Sequence, residues 1–194
     1  QPGGSVSIAP GTSIQGVVNA NPAATTYWLQ AGTHREQAVT PKNGDSFVGE
    51  YGAILSGAKV LTGAVADCSD WKYTGQTQDN GTPIKDANEC LVGWPACQNP
   101  HDLWIDGVLQ TRVATRAAMT ATTWFFDLAA DTIYIRTNPS GTVVETSVTI
   151  SVFVGSAATV TIRNLIIEHY ANESQVGAVQ GSSGSGWTLV RNEV

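Results

Sequence analysis

At 194 residues and 42% hydrophobic content, the chain is long enough for one domain with a buried core. Only 13% of its residues are charged and its ten basic residues are scattered singly, so no cluster exists to neutralise phosphates and nucleic acid is excluded as a partner. Net charge −6, 20 glycines and polarity carried by Ser, Thr, Asn and Gln suit a turn-rich secreted β-protein, and no apolar run approaches the ~18 residues of a membrane span.

In chain order, residues 5–9 alternate, with Val6 and Ile8 on one face, and read as a short strand. After the Pro10-Gly11 turn, Thr12 or Ser13 caps a helix with Ile14, Val17 and Val18 at i, i+3 and i+4, which Asn21-Pro22 stops. A short amphipathic helix ahead of many strands is placed to cover the open end of a stacked β-fold. Short strands then alternate with turns: 26–29, 36–40, 46–48, 53–55 and 59–61. Such strands suit the sides of a polygonal coil better than a sandwich, whose strands run to ~5–6 residues.

Residues 67–100 interrupt this pattern. They hold Cys68, Cys90 and Cys97 and read as a long excursion of the kind that is often functional. A Cys90–Cys97 disulfide with Cys68 left over, or three reduced cysteines, both fit the odd count. Metal-type CxxC spacing is absent and His34, His101 and His169 are dispersed, so the sequence assigns no metal ligands.

Residues 103–109 form a hairpin around Asp106-Gly107, the pair favoured by a type I′ turn. A second hairpin spans residues 124–136, with Ile133 and Ile135 on one side and Tyr134 and Arg136 on the other. Finally, residues 160–168 and 187–194 look like two copies of one element, with Asn164 and Asn192 repeated 28 positions apart and available for an amide ladder. A return every 20 to 30 residues through strands and small corners is what a β-solenoid coil requires. The chain divides into a cap and first coil (1–66), an excursion with a β insert (67–142) and regular rungs with an open C-terminal end (143–194).

Three segments carry a family resemblance: residues 27–58 with their Tyr27-Trp-Leu-Gln-Ala-Gly start, the paired hairpins at 102–112 and 124–136, and the rung Val160-Thr-Ile-Arg-Asn-Leu-Ile-Ile-Glu168. Together they resemble the right-handed parallel β-helix proteins of the pectate-lyase-like superfamily. The resemblance implies an all-β, right-handed parallel β-helix with a short N-terminal capping helix and a small antiparallel β insert. It also implies a polysaccharide partner and, if the protein is an enzyme, a polysaccharide lyase or glycoside hydrolase. Calcium serves some members, but no ligands for it are assignable here. No segment matches a catalytic signature of the family, so no catalytic residue is carried over.

The candidate sugar-binding residues are Trp71, Tyr73, Trp94 and Trp104, which lie in or beside the polar excursion. Indole and phenol rings on loops stack on sugar faces, and the competing reading is a private core for that loop. Trp28, Phe47, Trp124 and Phe153 read as core. Glu168-His169 and His101-Asp102 offer acid/base groups, but neighbours on a strand face opposite ways unless the chain bends. Asp127 and Asp131 flank a turn and cap it. The expected function is the N-terminal part of a secreted carbohydrate-active or carbohydrate-binding β-helix protein. The alternative is an adhesive surface module that stacks on further copies of itself through an uncapped last coil.

Overall fold

A computed structural model of the chain describes residues 1–78, 92, 99–173, 176–181 and 184–194. Among the described residues strands dominate, with one α-helix and one short 3-10 turn. The chain forms two compact units, residues 1–58 with 149–194 and residues 59–148.

In the first unit the strands run parallel in three sheets. The first holds β1 (Val6–Ile8), β2 (Thr26–Leu29), β4 (Ser46–Gly49), β15 (Thr161–Arg163) and β18 (Thr188–Val190), in that order. The second holds β3 (Gly32–Arg35), β5 (Ala53–Ser56) and β16 (Ile166–Glu168). The third pairs β14 (Phe153–Val154) with β17 (Val179–Gln180), and Val39 bridges to Phe153. Each pass of the chain therefore lays one layer on the last, and strand alternation aims every second side chain inward. Tyr27, Phe47 and Ile162 form one inner column, all fully buried. Tyr27 stacks on Phe47 with ring centroids 5.1 Å apart, and Phe47 meets Phe153 at 4.7 Å. His34, Leu55 and Ile167 form a second such column.

Helix α1 (Ile14–Ala20) begins as expected: Ser13 Oγ accepts from the Gly16 amide at 3.1 Å, and Ile14 and Val18 are buried in the same core. Two local expectations fail. The strand expected at 36–40 reduces to the single bridge at Val39, because β3 starts earlier, at Gly32. The repeat is also offset: Thr161 pairs with Thr188, a spacing of 27, so Asn164 lies level with Arg191 and cannot ladder with Asn192.

The second unit contains β6 (Ala58–Val60), β7 (Val65–Asp67), β8 (Asp70–Tyr73), β9 (Leu103–Ile105), β10 (Val108–Arg112), β11 (Thr123–Asp127), β12 (Thr132–Ile135) and β13 (Val144–Ser147). They form one sheet in the order β6-β13-β9-β10-β11-β12-β8-β7, parallel at β10–β11 and antiparallel at β13–β9, β9–β10, β11–β12, β12–β8 and β8–β7. Both expected hairpins are present, and Asp106 (φ 48°) and Gly107 (φ 75°) have the left-handed backbone of a type I′ turn. Tyr73, Leu103, Trp124, Phe126, Ile133 and Ile135 pack into the core of this unit. The excursion expected from residue 67 is thus partly regular: Trp71 and Tyr73 sit on a strand, not a loop.

On the opposite face of β8, Asp70 is 4% exposed and accepts from Arg116 Nε at 2.8 Å and Arg136 Nε at 3.0 Å. Arg116 also reaches Asp67 at 3.1 Å and lies 4.2 Å over the Tyr134 ring. Burial alone would raise the Asp70 pKa, but the hydrogen bonds and charges of the two arginines outweigh it and hold the carboxyl below its ordinary range.

Candidate functional site

The corners joining the first sheet to the second differ in length. Between β15 and β16 the chain turns in two residues, Asn164 (φ 58°) and Leu165, whose side chain goes inward. Arg191 (φ 53°) repeats this left-handed corner one layer on. There Asn192 takes the place of Leu165 and ties the layers together, accepting from the Leu165 amide at 3.1 Å and donating to the Ile162 carbonyl at 2.9 Å. Between β4 and β5 the corner has three residues, Glu50, Tyr51 and Gly52. The Ala53 amide donates to the Glu50 carbonyl at 2.9 Å, and Gly52 at φ 84° supplies the positive angle of a type II turn. Tyr51 stands out from that turn, 98% exposed.

The step between the longer corner and the two tighter ones opens a cleft of about 600 Å³. Tyr51 and half-buried Trp28 contribute aromatic surface, and Asn164, Arg191 and Glu193 contribute polar groups. Gly49 keeps the neighbouring layers close, since a Cβ there would lie 2.2 Å from the Asn164 carbonyl oxygen. Glu50 is occupied elsewhere: its carboxylate accepts from the Ala31 amide at 2.8 Å. The cleft size and its mix of apolar area with a few converging polar groups match small-molecule sites in general.

Among the described residues, the sequence's candidates Trp71, Tyr73 and Trp104 do not line this cleft. Trp71 is half-buried and Tyr73 2% exposed, both on one face of β8, where burial pushes the Tyr73 phenol up to about 12. Trp104 is 8% exposed on β9, so the expectation of exposed loop rings is corrected for Tyr73 and Trp104. Trp94, Cys90 and Cys97 lie outside the described residues, and Cys68 is free and exposed. Trp28 is corrected in the other direction. Tyr27 and Leu29 point inward, so Trp28 between them must face out, whereas Phe47, Trp124 and Phe153 are core as expected. Tyr51 was legible as an aromatic residue beside Gly52 in a turn, and Arg191 and Glu193 gave no sequence signal.

Glu168 and His169 do line one depression, of about 310 Å³, because His169 has φ 58° and supplies the bend that a strand lacks. Glycosidase chemistry takes two carboxylates across the scissile bond, and Glu168 is the one carboxylate side chain among the described lining residues there. His101 is 2% exposed and edge-on to Phe126 at 6.1 Å, and Asp127 caps its turn by accepting from the Ala130 amide at 3.1 Å. Among the described residues no group of three His, Cys, Asp or Glu is placed to hold a metal. No described helix is long and apolar enough to cross a membrane.

No protein-family model matches the sequence, and no curated protein does. Among solved structures, the complex of XylC with xylose aligns over 93% of this chain with a TM-score of 0.72 at 14% identity. The chain shares its fold with XylC. It spans 36% of the length of that XylC chain. A glycoside hydrolase structure aligns over 75% of this chain and 43% of its own length, at 10% identity and a TM-score of 0.42.

Proposed function

We propose that the chain belongs to a secreted, carbohydrate-active protein, that its first unit is a right-handed parallel β-helix, and that polysaccharide binds in the cleft at the Tyr51 corner. The observation that carries this reading is the lining itself. Successive layers supply Trp28, then Tyr51, then Asn164, then Arg191 and Glu193, so an extended ligand meets aromatic and hydrogen-bonding groups at each step along the stack. Neighbouring strands lie ~4.8 Å apart, a spacing close to the length of one pyranose unit. The fold shared with XylC, a protein solved with xylose, adds support for sugars of that kind. Aromatic faces take the apolar side of a sugar ring while amide and charged groups take its hydroxyls.

Affinity electrophoresis through xylan, glucan and galacturonan gels tests this reading on the full chain. Retardation by at least one glycan is expected, weakened about tenfold in Kd by Tyr51→Ala, which corresponds to ~1.4 kcal/mol. No retardation on any gel, or retardation unchanged by Tyr51→Ala and Trp28→Ala, would remove the cleft as the binding surface. Reducing-end release and the ultraviolet absorbance of unsaturated products separate a hydrolase, a lyase and a binding module.

A further inference from the structure

A second depression, of about 420 Å³, lies wholly in the second unit. Its inner wall is Trp71 and Tyr73, two residues apart on β8 and therefore on the same face of the strand. Their neighbours Asp70 and Lys72 face the other way, Asp70 into the pairs with Arg116 and Arg136 and Lys72 to Asp67 at 3.5 Å. Alternation thus puts the charges of β8 on one side of the strand and its two rings on the other. The outer wall is the Asn138-Pro139-Ser140 turn, with Thr62 and Thr142 at its margins. The Ser140 amide donates to Asn138 Oδ1 at 3.0 Å, which fixes the turn and leaves the Asn138 carboxamide NH2 as a donor. Trp71 is only half-buried, so part of its indole faces this space, while Tyr73 is held rigidly in the core beneath.

From this geometry we infer that the second unit carries its own site for a neutral saccharide, stacked on Trp71 and hydrogen-bonded by Asn138 and the hydroxyls of Ser140 and Thr62. The lining supplies the arguments for class. The half-exposed Trp71 indole offers an apolar face, and amide and hydroxyl groups at the rim match sugar hydroxyls. No described lining residue carries a formal charge at neutral pH, so a uronate would lose hydration there without gaining a counter-charge from them. The inference takes the sugar-binding reading of the protein as its setting but rests on different residues, in a different unit, from the Tyr51 cleft.

Nitrogen-15 spectra of the full chain test it. The Trp71 indole N–H, assigned with Trp71→Phe, is followed during titration with xylohexaose, cellohexaose and trigalacturonate. A saturable shift with at least one neutral oligosaccharide, persisting in Tyr51→Ala and abolished by Ser140→Arg, is the expected result. Ser140 is exposed, so this variant keeps the fold, whereas Trp71→Ala would also strip the core. The site is overturned by a Trp71 signal that stays still or only drifts linearly, by a shift that survives Ser140→Arg, or by an equal shift with trigalacturonate. The Trp28 indole, read in the same spectra, reports the Tyr51 cleft separately, so the two sites succeed or fail independently.

Discussion

In residues 59–148, three pairs of strands close a few residues apart. β9 and β10 close around Asp106-Gly107, β11 and β12 around a short turn, and β7 and β8 around Cys68-Ser69. In residues 1–58 with 149–194, β1 and β2, parallel and joined through α1, are the one described pair of consecutive strands, and every other described strand pairs with one further along the chain. β4 lies between β2 and β15, whose residues Thr26 and Thr161 flank Ser46 on either side. Strands of similar length and alternation thus give an antiparallel hairpin sheet in one unit and parallel layers in the other. The connections differ: tight turns such as Asp106-Gly107 and Cys68-Ser69 reverse the chain, whereas the left-handed residues Asn164 and Arg191 sit at corners that redirect it. The polar supports differ as well. The hairpin unit relies on a charged cluster around Asp70, the layered unit on amide bonds between corners such as that of Asn192.

The sharpest way to break this contrast is Phe47→Ala. Phe47 stands in the column between Tyr27 and Ile162 and touches Phe153, so its loss should cost about 3–5 kcal/mol. Urea unfolding measures the total, and hydrogen exchange should show the loss in the layered unit while the hairpins keep their protection. A cost below ~1 kcal/mol would mean that the layers do not depend on that column.

Acid should act on the hairpin unit. Burial, then the charges of Arg112 and Lys59, lower the His101 pKa from 6.5 to about 4. Between those values the unfolded chain binds the proton that the folded chain refuses, so stability falls as pH falls. The contribution is complete above pH 6.5 and lost by about pH 4, on the order of 3 kcal/mol in all. Thermal unfolding across that window should show the decline, and His101→Gln should flatten it.

Asp70→Asn should cost about 2 kcal/mol, less than a fully buried pair because both arginines keep contact with water. Its signature is loss of protection in β8 and β12 with the layered unit unchanged. The smallest effect is expected from Asn192→Ala, about 1 kcal/mol for the bonds to Leu165 and Ile162. Exchange at the Leu165 amide should rise, and an unchanged rate would separate that corner from the stability of the layers.

Sequence alone determined what depends on neighbours in the chain. Strand alternation, a helix cap at Thr12 or Ser13 (Ser13 in the structure), the Asp106-Gly107 turn and the inward Ile133 and Ile135 follow from backbone geometry within a few residues, and the structure has them all. The repeat of the rung was legible too, but its register was not. Matching Asn164 to Asn192 gives 28, while the stacked strands take 27 because Asn192 tucks into a corner where Leu165 sits one layer before. Only the tertiary structure decided the two candidate sites. Trp28, Tyr51, Arg191 and Glu193 are far apart in sequence and meet because layers stack, and Trp71 meets Asn138 because β8 pairs with β12. Pairing of distant strands sets such neighbourhoods, and no local pattern of residues encodes which layer will lie against which.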